Sequence, residues 1–170
     1  MQSFELDKTD LSKLKTAIDG DDQLLTQTLA EYHASEIAIL FDNINSEDKQ
    51  RIINLLEVEK ASEVIAEMSE QAHPEELLIQ LHPEKRTEIV EELDYDDATD
   101  IISQLDEEDQ QEILEDLSAD DAESIRNLLS YDEETAGGLM NTQMIKVNIN
   151  FTKKDAIDEI IRQSEEIEEF

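Results

Sequence analysis

The sequence predicts an all-α, solenoid-like superhelix of short helices, followed by the opening strand and helix of an α/β module. Three observations carry that expectation: a unit of about twelve residues recurring from Asn45 to Leu129, three aliphatic places fixed within each unit, and a switch to alternating apolar residues beyond Gly137-Gly138.

The units are NSEDKQRIINLL from Asn45, EVEKASEVIAEM from Glu57, HPEKRTEIVEEL from His82, DYDDATDIISQL from Asp94, DEEDQQEILEDL from Asp106 and SADDAESIRNLL from Ser118. One thirteen-residue unit, SEQAHPEELLIQL from Ser69, interrupts the series, His33 to Ile44 reads as an earlier member, and the stretch from Asp21 as a more worn one. The eighth, ninth and twelfth places are almost always aliphatic, as in Ile52, Ile53 and Leu56 or Ile101, Ile102 and Leu105, a helical i, i+1, i+4 pattern, with Arg126 standing in the ninth place of the last unit. Each unit opens on a capping residue or on His-Pro, with acids following at the positive end of a helix dipole. Every unit therefore starts a new helix of about nine residues, below the ~12–15 at which an isolated helix becomes marginal in water. Such helices must stack on their neighbours.

Beyond Leu129, in MIKVNINF, Ile145, Val147, Ile149 and Phe151 alternate with polar residues, which predicts a strand. Thr152 caps a predicted helix, KKDAIDEIIRQ, with Ala156, Ile157, Ile160 and Ile161 on one face. One strand and one helix cannot close a sheet. The expected organisation is a superhelical domain over 1–130, a connector over 131–143, and the start of a module over 144–170 whose remainder lies outside this chain.

Charge narrows the function classes. The 170 residues hold 46 acids and 13 bases, a net charge of −33, so a phosphate backbone is repelled and nucleic-acid binding through a basic surface is excluded. Divalent cations or basic partners are the natural counterparts. The absence of cysteine removes disulfides, thiolate zinc sites and a Cys nucleophile, and fits a reducing compartment. The N-terminus lacks the apolar run of a signal peptide. The longest apolar run, Ile37 to Phe41, is far short of the ~20 residues that span a bilayer, so this chain is not expected to enter a membrane by itself.

The acidic helical tandem, followed by YDEETAGGLM from Tyr131 to Met140 and a strand-helix opening, resembles the cytosolic part of the MgtE family of magnesium transporters. The resemblance spans nearly the whole chain, the EETAGGLM segment being its more specific part. It implies an N-terminal superhelical domain and the start of the first CBS domain, on the cytoplasmic face of the cell membrane. The family's proteins are homodimeric and channel-like, and their N and CBS domains pack together when magnesium is plentiful and close the pore. The second half of that CBS module, the second CBS module and the transmembrane pore are not in this chain, which on this reading senses and does not transport. Aligned by repeat, the family's magnesium-holding positions fall on Glu63 of the KASEV segment, on Asp96 and Asp100 of the DDATD segment, and on a backbone contact at Gly138, with Asp97 a near neighbour.

Elementary chemistry is compatible with those positions. Magnesium takes oxygen ligands and keeps several waters, so one or two carboxylates suffice. With the eighth, ninth and twelfth places facing the core, the third (Asp96) and seventh (Glu63, Asp100) are expected to face solvent. Asp96 and Asp100, four residues apart on a helix, lie about 6 Å from each other and repel by roughly 0.7 kcal/mol in water. Capping accounts equally well for Asp96 and Asp97, a plain solvated face for Glu63 and Asp100, and a hinge for Gly137-Gly138. His33, His73 and His82 read as helix-start residues and form no metal set; no nucleophile elbow or phosphate-cradling loop supports an enzyme. The rival from another class is an acidic helical-repeat adaptor resembling the helical domains of flagellar motor switch proteins, which predicts an exposed apolar groove.

Overall fold

Each repeat closes as one helix because its first residue satisfies the opening N–H groups and its aliphatic places need cover. The computed structural model describes residues 8–131, 135 and 145–164. Helices α1 (Lys8–Ile18), α2 (Asp22–Leu29) and α3 (Ala34–Phe41) precede the regular units; α4 (Ser46–Leu55), α5 (Val58–Ala66), α6 (Pro74–Gln80), α7 (Pro83–Glu92), α8 (Tyr95–Ser103), α9 (Glu107–Asp116) and α10 (Ala119–Leu129) follow them one to one. The expected caps form: Asn45, Asp106 and Ser118 accept from the backbone N–H groups of Asp48, Asp109 and Asp121 at 2.9, 3.0 and 3.3 Å. Pro74 and Pro83 occupy the first turns of α6 and α7, with His73 and His82 just before them.

The thirteen-residue unit absorbs its extra residue in a short 3-10 turn, Glu70–Ala72, followed by His73 in the left-handed region at φ 55°. That conformation is uncommon for a non-glycine residue. It turns the chain sharply enough that α6 begins in register with its neighbours, one of the shortest helices of the series.

Stacking follows a single rule from α2 onward: each helix packs on the second one along, α2 on α4, α3 on α5, and so on to α8 on α10. The aliphatic places form one continuous core, with Ile52, Ile53, Leu56, Ile89, Val90, Leu93, Ile101, Ile102, Ile113, Leu114 and Leu117 buried and Leu105 packed at its edge.

Basic side chains tie successive layers together through carbonyls. Lys60 donates to the Leu29 and Tyr32 carbonyls at 2.9 and 2.7 Å, Lys85 to that of Leu56 at 2.9 Å, and Lys49 to that of Ala72 at 2.7 Å. Arg51 reaches the Ile18 and Gly20 carbonyls at 2.8 and 3.0 Å as well as Asp22 at 2.8 Å. The acceptors lie at or just beyond helix C-termini, where carbonyls lack intrahelical partners and the dipole is negative. Several cations of this strongly acidic chain thus neutralise backbone ends.

The strand expected over 145–151 does not form: residues 145–148 have no regular structure and 149–150 make a turn. A strand needs a neighbour for its backbone groups. Here the Gln163 amide stands in for one, accepting from the Lys146 N–H at 2.8 Å and donating to its carbonyl at 2.7 Å. Val147, Ile149 and Phe151 are left exposed, Ile149 at 97 %. The helix that follows, α11 (Lys153–Ser164), starts as expected on Thr152, whose hydroxyl accepts from the Asp155 N–H while the Asp155 carboxylate accepts from the Thr152 N–H. No helix among the described residues is long and apolar enough to cross a membrane.

Candidate metal-binding face

The opening of α8 concentrates acids because its unit begins Asp-Tyr-Asp-Asp; the helix packs on α6 and α10, and residues 94–97 are half-buried. Asp100, one turn further on, is exposed, and so is Glu63 on α5, as their repeat places require. Asp96 departs from the expected solvent-facing position. It is half-buried, and its Oδ1 is enclosed without a hydrogen-bond partner. A buried carboxylate oxygen with no donor is unfavourable unless some other positive group meets it.

Asp97 reports the field of the whole patch. Burial first, then the neighbouring carboxylates of Asp96, Asp94, Asp100 and Glu67, push its carboxyl up to about 6. Glu67 caps the end of α5, one turn beyond Glu63 on the same face. The structure therefore gathers Asp94, Asp96, Asp97 and Asp100 of the α8 unit within electrostatic reach of Glu67 of the α5 unit; Glu63, one turn before Glu67, is not among the groups that act on Asp97. Repeat phase alone did not single out Asp94 or Glu67, which occupy a first and an eleventh place; their approach depends on how the end of α5 meets the start of α8 in three dimensions, three units apart in the chain. Gly138, with Gly137, lies outside the described residues.

All donors in this patch are carboxylate oxygens, the ligand type suited to a hard divalent cation such as magnesium or calcium. Arg86, 2 % exposed on α7, pairs with Glu112 at 2.7 Å and Asp116 at 3.1 Å on α9.

A second grouping was not anticipated. His73, read from sequence as a helix-start residue, keeps that place and also brings its Nδ1 to 3.0 Å from a Glu75 carboxylate oxygen, with Glu76 adjacent; their candidate ligand atoms lie within 4.8 Å of one another. Beneath them is Lys49, whose ammonium is buried, bound to the Ala72 carbonyl and held below the usual lysine range by that burial, against the opposing pull of Asp42, Glu76 and Glu75.

Comparison with known proteins adds an independent line. The family described as the MgtE intracellular N domain matches residues 32–134. A solved structure described as the cytosolic domain of the Mg2+ channel MgtE in complex with ATP is similar at a TM-score of 0.83 and 28 % identity, over 94 % of this chain and 65 % of that one. Another, described as the soluble part of a magnesium transporter, is similar in fold at a TM-score of 0.76 and 21 % identity, over 95 % of this chain and 64 % of that one. The chain thus spans just under two thirds of each. No curated protein matches it.

Proposed function

The chain belongs to the MgtE intracellular N-domain family, and from that premise we propose that it is the magnesium-sensing region of a larger, homodimeric magnesium transporter at the cytoplasmic face of the cell membrane. The observation that carries this reading is the patch of α5 and α8 carboxylates, where Asp97 is pushed to about 6 and the Asp96 Oδ1 lies enclosed with no donor. Such a patch is under electrostatic strain that a divalent cation relieves.

Glu63, Asp96 and Asp100 are the residues that would hold the ion, with a backbone contact at Gly138 and with Asp97 and Glu67 close behind. Bound magnesium supplies two positive charges to join these carboxylates to the CBS module, whose approach closes the pore. With no ion present, the same carboxylates repel one another and the acidic surface opposite, and the two domains stay apart. The remaining acids raise the local cation concentration without fixing a position. Nothing in this mechanism calls for a catalytic group.

The adaptor reading needs an exposed apolar groove. Among the described residues of the superhelix, the large apolar side chains left exposed are Leu24 and Tyr131, which are too far apart in the chain and too few to line one.

The test is thermal melting of the 170-residue chain in about 10 mM MgCl2 against about 30 mM added NaCl, which matches the ionic strength. Magnesium protects beyond sodium in the wild type and less so in the E63Q/D96N/D100N variant. Equal protection by the two salts would remove the site-specific part of the proposal.

A further inference from the structure

We draw no further inference here: the strongest candidate, the His73–Glu75–Glu76 cluster at the start of α6, sits at the N-terminus of a seven-residue helix over the buried ammonium of Lys49, and nothing in the structure beyond the cluster itself points to a ligand.

Discussion

Replacing Asp97 by Asn isolates the electrostatic strain of the α8 patch. The carboxyl rises from an ordinary 3.8 to about 6, and burial, the largest cause, is followed by four neighbouring carboxylates. A shift of that size corresponds to about 3 kcal/mol at face value. Because Asp97 is only half-buried, screening reduces it to roughly 1–2 kcal/mol. A raised acid binds its proton more tightly when folded, so stability is greatest below 3.8 and is lost as pH rises from 3.8 through about 6, the reverse of the usual carboxylate. D97N cannot ionise. Its advantage over the wild type should be smallest near pH 4, grow up to about pH 6 and then stay level, reaching roughly 2–8 °C in melting temperature for a chain of this size. Urea or thermal unfolding of both proteins from pH 4 to 8 measures it. Magnesium should narrow the gap at pH 7.5, since a cation on the patch removes the cost of the ionised form. A D97N protein no more stable than the wild type at pH 7.5, or a gap that does not change between pH 4 and 7, would refute the picture of a strained carboxylate cluster.

Four other outcomes follow from the same geometry. E63Q and D100N, both at exposed positions, should fold with unchanged or slightly raised stability and lose magnesium protection, by about 1.4 kcal/mol per site at tenfold saturation, read from melts with and without the ion. Arg86 should respond asymmetrically in urea unfolding: R86M costs less than about 1.5 kcal/mol because the guanidinium Nε is already unpartnered, whereas E112Q/D116N strands a buried cation and costs about 3 kcal/mol or more. K60M leaves two carbonyls at the end of α2 without their donor and should cost about 1–3 kcal/mol by the same measurement. I102A, at a fully buried ninth place, should cost about 2–5 kcal/mol and move the denaturant transition to lower urea, with a similar loss at Ile53.

The repeat made the helices legible because one physical requirement, burying two or three aliphatic side chains per short helix, recurs from α4 to α10 and leaves a period in the sequence. Ile52 and Ile53, Ile101 and Ile102, and Ile113 and Leu114 are buried where that period puts them. Two features left no such trace. The direction of Lys49, Lys60 and Lys85 toward distant carbonyls depends on the offset between stacked layers, with partners 23 to 31 residues away, and a lysine opposite a carbonyl looks like any surface lysine in a one-dimensional pattern. The half-burial of Asp96 likewise comes from chain packed around α8, while helical phase sees only α8 itself. The strand at 145–151 was legible as a pattern and still did not form, because alternation specifies a face and a strand also needs a partner backbone, which the Gln163 side chain replaces over a single residue.

If the chain senses magnesium as proposed, these arrangements bear on how an excess of acid becomes a response to a common ion. A tightly coordinated cage would be saturated at all physiological magnesium concentrations and could report nothing. On that reading, carboxylates on short helices, with waters left on the ion, would bind weakly, and each would contribute only about 1.4 kcal/mol at tenfold saturation. Carrying a two-state closure from one side to the other takes about 5.5 kcal/mol, so about four such sites must act on one rigid movement. The stacked core makes that summation possible, since α5 and α8 belong to one continuous hydrophobic body and cannot answer separately.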